Sequence, residues 1–226
     1  ADPGLEPPFL ALIVSGGHAH LAEVSDYTDF RILGRTRDDA PGEAFDKIAR
    51  TIGLGYPGGP LIEEAAKGGN PKAFALPVTR FPDSFDFSFS GVKTAAINRY
   101  RKLMQDAQRQ GRDWPEEISL SDFAASFQET VAETLTGHTR EALRATGHRS
   151  LVMAGGVSAN KRIRASMEKM AREEGVRLTI PDFSFCTDNA AMIAAAGYYA
   201  MRSGRRAGMD LNAVPMEDLE RAGGRA

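Results

Sequence analysis

The stretch that decides the fold is residues 9–37, FLALIVSGGHAHLAEVSDYTDFRILGRTR. Apolar runs alternate here with turn residues: Phe9 to Val14, a Gly16-Gly17 turn, Leu21 to Val24, an Asp26-Tyr27-Thr28-Asp29 turn, then Phe30 to Gly34. Short apolar runs bounded by Gly and Asp read as strands, so the stretch predicts a three-strand meander. After Pro41-Gly42 the spacing changes to Phe45, Ile48, Ala49 and Ile52, which is the period of a helix face. The same grammar returns downstream. Ser119 with Asp122 three residues on is an N-cap signature, and Leu120, Phe123, Ala124, Phe127, Val131 and Leu135 follow at helical steps. A strand from Leu151 to Ala154, a Gly155-Gly156 turn, a helix from about Asn160 to Glu174, a strand from Val176 to Ile180 and a helix from Asp188 to about Arg202 complete the pattern.

Alternation of strands and helices in the second half implies parallel pairing there. A meander followed by such crossovers predicts an α/β fold, one ribonuclease-H-like lobe of the actin, sugar-kinase and Hsp70 type, with a mixed sheet and helices on both faces. Proteins of that type use two such lobes around a nucleotide cleft, and one is present here. Residues from about 53 to 118 are broken by Pro and Gly and read as a mainly helical insertion. Within it Phe85, Phe87 and Phe89 alternate with Asp86, Ser88 and Ser90, which sorts rings from polar groups if the backbone is extended, and a helix follows from Val92 to about Gln110. The expected plan is residues 1–8 as a linker or expression remnant, 9–204 as the lobe, and 205–226 as a loose tail.

With 226 residues, 42% of them hydrophobic, the chain can bury a real core. Its formal charge of −2 is not that of a globally basic nucleic-acid binder, so any contact with RNA has to come from a local patch. Basic residues cluster at Lys93, Arg99, Arg101, Lys102, Arg109 and Arg112 and again at Arg31, Arg35 and Arg37; each group reads as a solvated face balanced by nearby acids, and as an RNA footprint either is a weak signal. Cys186 is the single cysteine and has no partner for an internal disulfide. No run approaches the ~18 apolar residues of a membrane helix, and Ala1 to Pro8 lacks the regions of a signal peptide. A reducing, cytoplasmic setting without a membrane is the expectation.

Four glycine-containing loops sit where elements meet: Ser15-Gly16-Gly17-His18, Tyr56-Pro57-Gly58-Gly59-Pro60, Ser90-Gly91, and Gly155-Gly156-Val157-Ser158-Ala159-Asn160. Such loops let backbone N–H groups approach phosphate, and they are also ordinary turns and caps. Asp46 lies on the first helix away from its apolar face, where it is either solvated surface or an acceptor for ribose hydroxyls. Asp188, in Cys186-Thr187-Asp188-Asn189, reads as a helix N-cap or as a metal ligand. His18 and His20 are spaced to share a strand face and read as a loop and a surface histidine, or as part of a metal site. Cys186 reads as a small buried residue or as a reactive thiol ahead of a helix.

Taken together, the strings ALIVSGGHAHL, PGEAFDKIARTIGLGYPGGP, DFSFSGVKT, MAGGVSANKRIR and FCTDNAAMIAAAGYY occur in the order and spacing of the tRNA N6-adenosine threonylcarbamoyltransferases, the TsaD family, and the chain resembles the C-terminal lobe of that family from Phe9 to about Met201. The resemblance implies transfer of a threonylcarbamoyl group from threonylcarbamoyl-AMP to N6 of adenosine 37 of tRNA, with TsaB-like and TsaE-like partner proteins. By resemblance Ile13, Val14, Ser15, Gly16 and Gly17 line the donor site, Asp46 and Gly59 hold its adenosine part, Asn160 is a further contact, and Asp188 is a ligand of one divalent metal ion, iron or else zinc. The family's two other ligands come from a His-x-x-x-His helix in its N-terminal lobe. That motif is absent here, so the chain alone is expected to be inactive. A non-catalytic TsaB-like scaffold is the alternative, disfavoured by the retained Asp188 and Asn160. A sugar or acetate kinase is a third, and a peptidase has neither a zinc-protease motif nor a nucleophile-base pair in its support.

Overall fold

The computed structural model describes residue 2 and residues 4–114 and 118–212; the far end of the expected tail lies outside the described residues. Its elements are β1 (Phe9–Val14), β2 (Ala19–Asp26), β3 (Asp29–Arg35), α1 (Pro41–Thr51), α2 (Gly58–Ala65), α3 (Ser90–Arg109), α4 (Leu120–Thr146), β4 (Ser150–Ala154), α5 (Lys161–Glu174), β5 (Arg177–Thr179) and α6 (Ala190–Arg202). The five strands form one sheet in the order β3-β2-β1-β4-β5. The meander pairs antiparallel, with Leu12 opposite Leu21 and Ala22 opposite Ile32. β1 pairs parallel with β4, which pairs parallel with β5. This is the mixed sheet of a ribonuclease-H-like lobe.

The period-two pattern of β1 sorts its side chains between two faces. Leu10, Leu12 and Val14 are fully buried on the face that carries α1 to α5, where Phe45 meets Phe127 edge to face at 5.4 Å between ring centres. Phe9 and Ala11 point the other way and pack with Val24, Leu5, Phe30 and Val152. α6 buries none of its side chains, and its Tyr199 stacks on Tyr27 at 3.9 Å.

α4 is the spine of the helical layer. Ser119 and Asp122 close a full capping box at its start, and Gly147 ends it in the left-handed conformation, as the sequence pattern of cap and stop residues dictates. Its buried threonines 130, 134 and 139 each return their hydroxyl to the carbonyl four residues back, so a polar residue can face the core without an unmet donor.

The segment from Phe85 to Lys93 is tied to the end of β3 by the three consecutive residues Arg37, Asp38 and Asp39. Arg37 Nε donates to Asp86 Oδ2 at 2.7 Å. Asp38 accepts from the Ser88 and Ser90 hydroxyls and from the Phe89 and Ser90 amides, and so caps α3. Asp39 forms ion pairs with Lys47 of α1 and Lys93 of α3. The alternation of Phe85 to Ser90 has its reason here: Phe87 and Phe89 are buried while the polar residues between them meet this triplet.

At the other side of the sheet, the turn after β4 presses on the end of β1. Gly155 has φ +97°, and a Cβ there would lie 2.2 Å from the Val14 carbonyl oxygen. Gly155→Ala is therefore expected to cost at least the ~1–3 kcal/mol of a strained backbone position, read as a fall in the denaturation midpoint; an unchanged midpoint would contradict this packing.

Burial pushes the carboxyls of Asp38, Asp39 and Asp86 up, yet their hydrogen bonds and cations hold all three below the usual range. For Asp38 the bonds are those from Ser88 and Ser90, for Asp39 those from Lys93 and Lys47, and for Asp86 those from the Arg35 amide and Arg37. A carboxyl with a lowered folded value contributes stability that is complete above its unfolded value, about 4, and is lost as pH falls through the folded one. The double substitution Asp38→Asn, Asp39→Asn should thus destabilise the chain at neutral pH and lose less than the parent on acidification below about pH 4. Denaturant titrations at the two pH values check this, and an equal deficit at both would count against it.

Candidate functional site

A cavity of about 450 Å³ opens where the β1–β2 turn, α1, α2 and the loop after β4 meet. Gly16, Asp46, Gly59 and Asn160, drawn from four separate segments, all line it, together with Gly156, Val157 and Lys161. Each segment is brought there by close backbone contact. The amides of Gly42 and Glu43 donate to the carbonyls of Ser15 and Gly16 at 3.2 and 3.1 Å, so the first turn of α1 is spent on holding the hairpin turn. Gly58 lies so near α1 that a Cβ would stand 2.6 Å from the Asp46 Cα.

That approach gives Asp46 its setting. Its Oδ1 accepts from the Gly58 amide at 2.7 Å and covers the start of α2, while Oδ2 has no partner among the described residues, and the residue lines the cavity. Gly59 is open: a Cβ there meets nothing within 4 Å. The amides of Gly16, Gly17, Gly156 and Val157 make no hydrogen bond among the described residues, and Gly16, Gly156 and Val157 line the cavity.

Asn160 is buried and hydrogen-bonded at both polar atoms of its side chain. Its Oδ1 caps α5 through the Ile163 amide at 3.0 Å, and its Nδ2 donates to Gln128 Oε1 at 2.8 Å. It shapes the cavity wall with one hydrogen bond made at each polar side-chain atom, and one N–H of Nδ2 remains. Ile13, Val14, Ser15 and Gly17 do not line the cavity. Ile13 and Val14 sit in the sheet, and Ser15 closes the turn, its amide donating to the His18 carbonyl at 2.8 Å and its hydroxyl accepting from the His18 amide at 3.1 Å.

Glu63, Lys67, Lys161 and Phe183 are lining residues that the motif reading does not single out. Glu63 accepts from the Lys161 amide at 2.9 Å, Lys67 pairs with Glu64 at 2.6 Å, and Phe183 is 55% exposed with the Arg164 guanidinium 4.3 Å from its ring centre. The helical step from Gly59 to Glu63 is the signal that points to one of them; Phe183 comes from another loop and carries none.

Asp188 is not the cap of α6. Asn189 takes that place, accepting from the Met192 amide at 3.0 Å, because the helix starts two residues later than the pattern from Asp188 suggests. Asp188 is exposed, and its neighbour Thr187 has its Cγ2 3.9 Å from a Cβ built on Gly156, at the edge of the same loop. His18 and His20 place their rings 5.4 Å apart. Among the described residues no group of three His, Cys, Asp or Glu is arranged to hold a metal ion. A lone carboxylate at Asp188 therefore does not make a metal site from this chain's residues. Cys186 is buried and accepts from the Arg164 guanidinium at 3.0 Å, which is the small-buried-residue reading.

The profile of the family described as tRNA N6-adenosine threonylcarbamoyltransferase, TsaD, matches residues 1–195. The chain is 51% identical over 220 residues to the tRNA N6-adenosine threonylcarbamoyltransferase of Gloeobacter violaceus, covering 97% of this chain and 61% of that protein. It is 48% identical over 213 residues to the enzyme of that name from Clostridioides difficile, covering 93% and 60%. It thus spans about 60% of the length of these curated relatives. Among solved structures it superposes on full-length HypF in its phosphate- and nucleotide-bound form with a TM-score of 0.63 at 11% identity, covering 88% of this chain and 34% of that one. It matches the activator of 2-hydroxyisocaproyl-CoA dehydratase from Clostridium difficile at 0.50 and 14%, covering 92% and 66%. Those two likenesses are of fold, and the sequence matches are of family: the chain belongs to the tRNA N6-adenosine threonylcarbamoyltransferases.

Proposed function

We propose that the cavity holds the adenylate part of threonylcarbamoyl-AMP, and that the protein transfers the threonylcarbamoyl group to N6 of adenosine 37 of tRNA. The observation that carries this is the convergence of Gly16, Asp46, Gly59 and Asn160 on one cavity in a chain of this family. Its volume falls in the ~300–1,000 Å³ of small-molecule sites. Asp46 Oδ2 is an acceptor suited to ribose hydroxyls, and the free amides of the two glycine turns suit phosphate.

In the reaction the exocyclic amine of adenosine attacks the carbamoyl carbon. A carbon–nitrogen bond forms, the carbon–oxygen bond to phosphate breaks, AMP leaves with the electron pair, and the amine gives up a proton. No serine or cysteine nucleophile enters. Preorganised amides near the phosphate favour departure by stabilising the charge that develops there. The proposal includes TsaB-like and TsaE-like partners and a cytoplasmic setting, both supported by the family resemblance; among the described residues no helix is long and apolar enough to cross a membrane.

Gly59→Val places three carbons on the cavity wall at a position where a Cβ meets nothing within 4 Å, so it should weaken AMP binding by calorimetry tenfold or more while the melting temperature holds. Binding equal to that of the parent would refute the cavity assignment. The 226-residue chain alone, given unmodified tRNA and threonylcarbamoyl-AMP, should yield no modified nucleoside on digestion, and a rate like that of a full-length relative would show that no further part is needed.

The metal belongs to the same proposal: iron, or else zinc, with Asp188 as the one ligand from this chain and two histidines from a further lobe. A carboxylate with imidazoles and open positions suits such an ion. In a full-length form Asp188→Ala should lower bound metal and activity with little change in melting, since Asn189 does the capping. Unchanged metal stoichiometry by elemental analysis would remove Asp188 from the ligand set.

A further inference from the structure

We infer that the outward face of α3 is where this chain grips the phosphate backbone of tRNA, an assignment that rests on the tRNA-directed function proposed above. Residues 93–112 hold six cations against the single carboxylate Asp106, a charge of +5 in a chain of −2. Of the six, Arg101, Lys102 and Arg109 share one side of the helix, while Lys93 turns to Asp39 and Arg99 lies against the Phe74 ring. Val92, Ala96, Leu103 and Ala107 are its buried face, and the opposite side exposes Thr94, Asn98, Arg101, Lys102, Gln105 and Arg109. These follow one another at three- and four-residue steps, so they form a stripe about 22 Å long of cations and neutral hydrogen-bonding side chains.

This composition is that of phosphate contacts, which position a nucleic acid without reading its sequence. Its cations are also less neutralised than several others on the surface. Arg31, Arg37, Arg80, Arg144 and Arg162 each meet a carboxylate, whereas Arg101 and Lys102 make no ion pair among the described residues, and Arg109 has only a 3.5 Å contact with Asp106. The stripe is also held in place relative to the cavity: Asp39 bridges Lys93 of α3 to Lys47 of α1, one residue from Asp46.

The test is fluorescence anisotropy of an unmodified tRNA transcript with the 226-residue chain over a range of salt. R101E/K102E should weaken binding tenfold or more, R101Q/K102Q less, and the slope of log affinity against log salt should shrink by about 1.4–1.8 for two lost phosphate contacts. The same reversal on α5, K169E/R172E, should leave affinity within twofold. An equal loss in both reversals, no tRNA binding by the parent at low salt, or displacement by polyglutamate as strong as by tRNA would overturn the inference, the last in favour of an acidic protein partner. AMP binding, measured on the same variants, should be unchanged by R101E/K102E; the cavity reading fails on AMP and this one on tRNA.

Discussion

Everything at the working end of the lobe depends on one contact, the Val14 carbonyl pressed against the Cα of Gly155. β1 and β4 are neighbours in the centre of the sheet, and the turns that follow them have to share the space beyond their carboxyl ends, where open α/β sheets place ligands. A side chain at residue 155 would hold those turns apart. With none, the free amides of the first turn and of the second come to border a single cavity, and α5 starts close enough for Asn160 to stitch its own cap to Gln128 of α4.

The distribution of amides follows from the same crowding. A helix start offers unpaired N–H groups and a favourable dipole for anions, yet the starts of α1, α2 and α5 are already answered within the chain by Ser15 and Gly16, by Asp46, and by Asn160 and Glu63. What remains for a ligand are turn amides and one oxygen of Asp46. The site is therefore a product of backbone placement more than of charged side chains.

This explains what can be read from the sequence and what cannot. The meander in residues 9–37 and the parallel pairing of the later crossovers are readable because period-two and helical patterns follow from burial on one face, and Leu10, Leu12 and Val14 against Phe9 and Ala11 show both faces at once. The capping box of α4 is readable because it is local. The start of α6 is not: Asp188 and Asn189 are both good caps, and only the backbone decides between them. Gly16, Asp46, Gly59 and Asn160 are recoverable through family strings, whereas Phe183 and Lys161 reach the cavity by tertiary placement that no local pattern encodes. The alternation of Phe85 to Ser90 is visible, but its partner triplet Arg37 to Asp39 lies some fifty residues away, beyond any window of periodicity.

That triplet also determines how the lobe can deform. Three adjacent residues gripping three points, at Asp86, at Ser88 to Ser90 and at Lys93, resist sliding, tilting and lifting together, as three bolts in a flange resist what one does not. The segment that carries α3 is thereby fastened to the end of β3 at three points, and through Asp39 it shares one carboxylate with α1, the helix that forms part of the cavity rim.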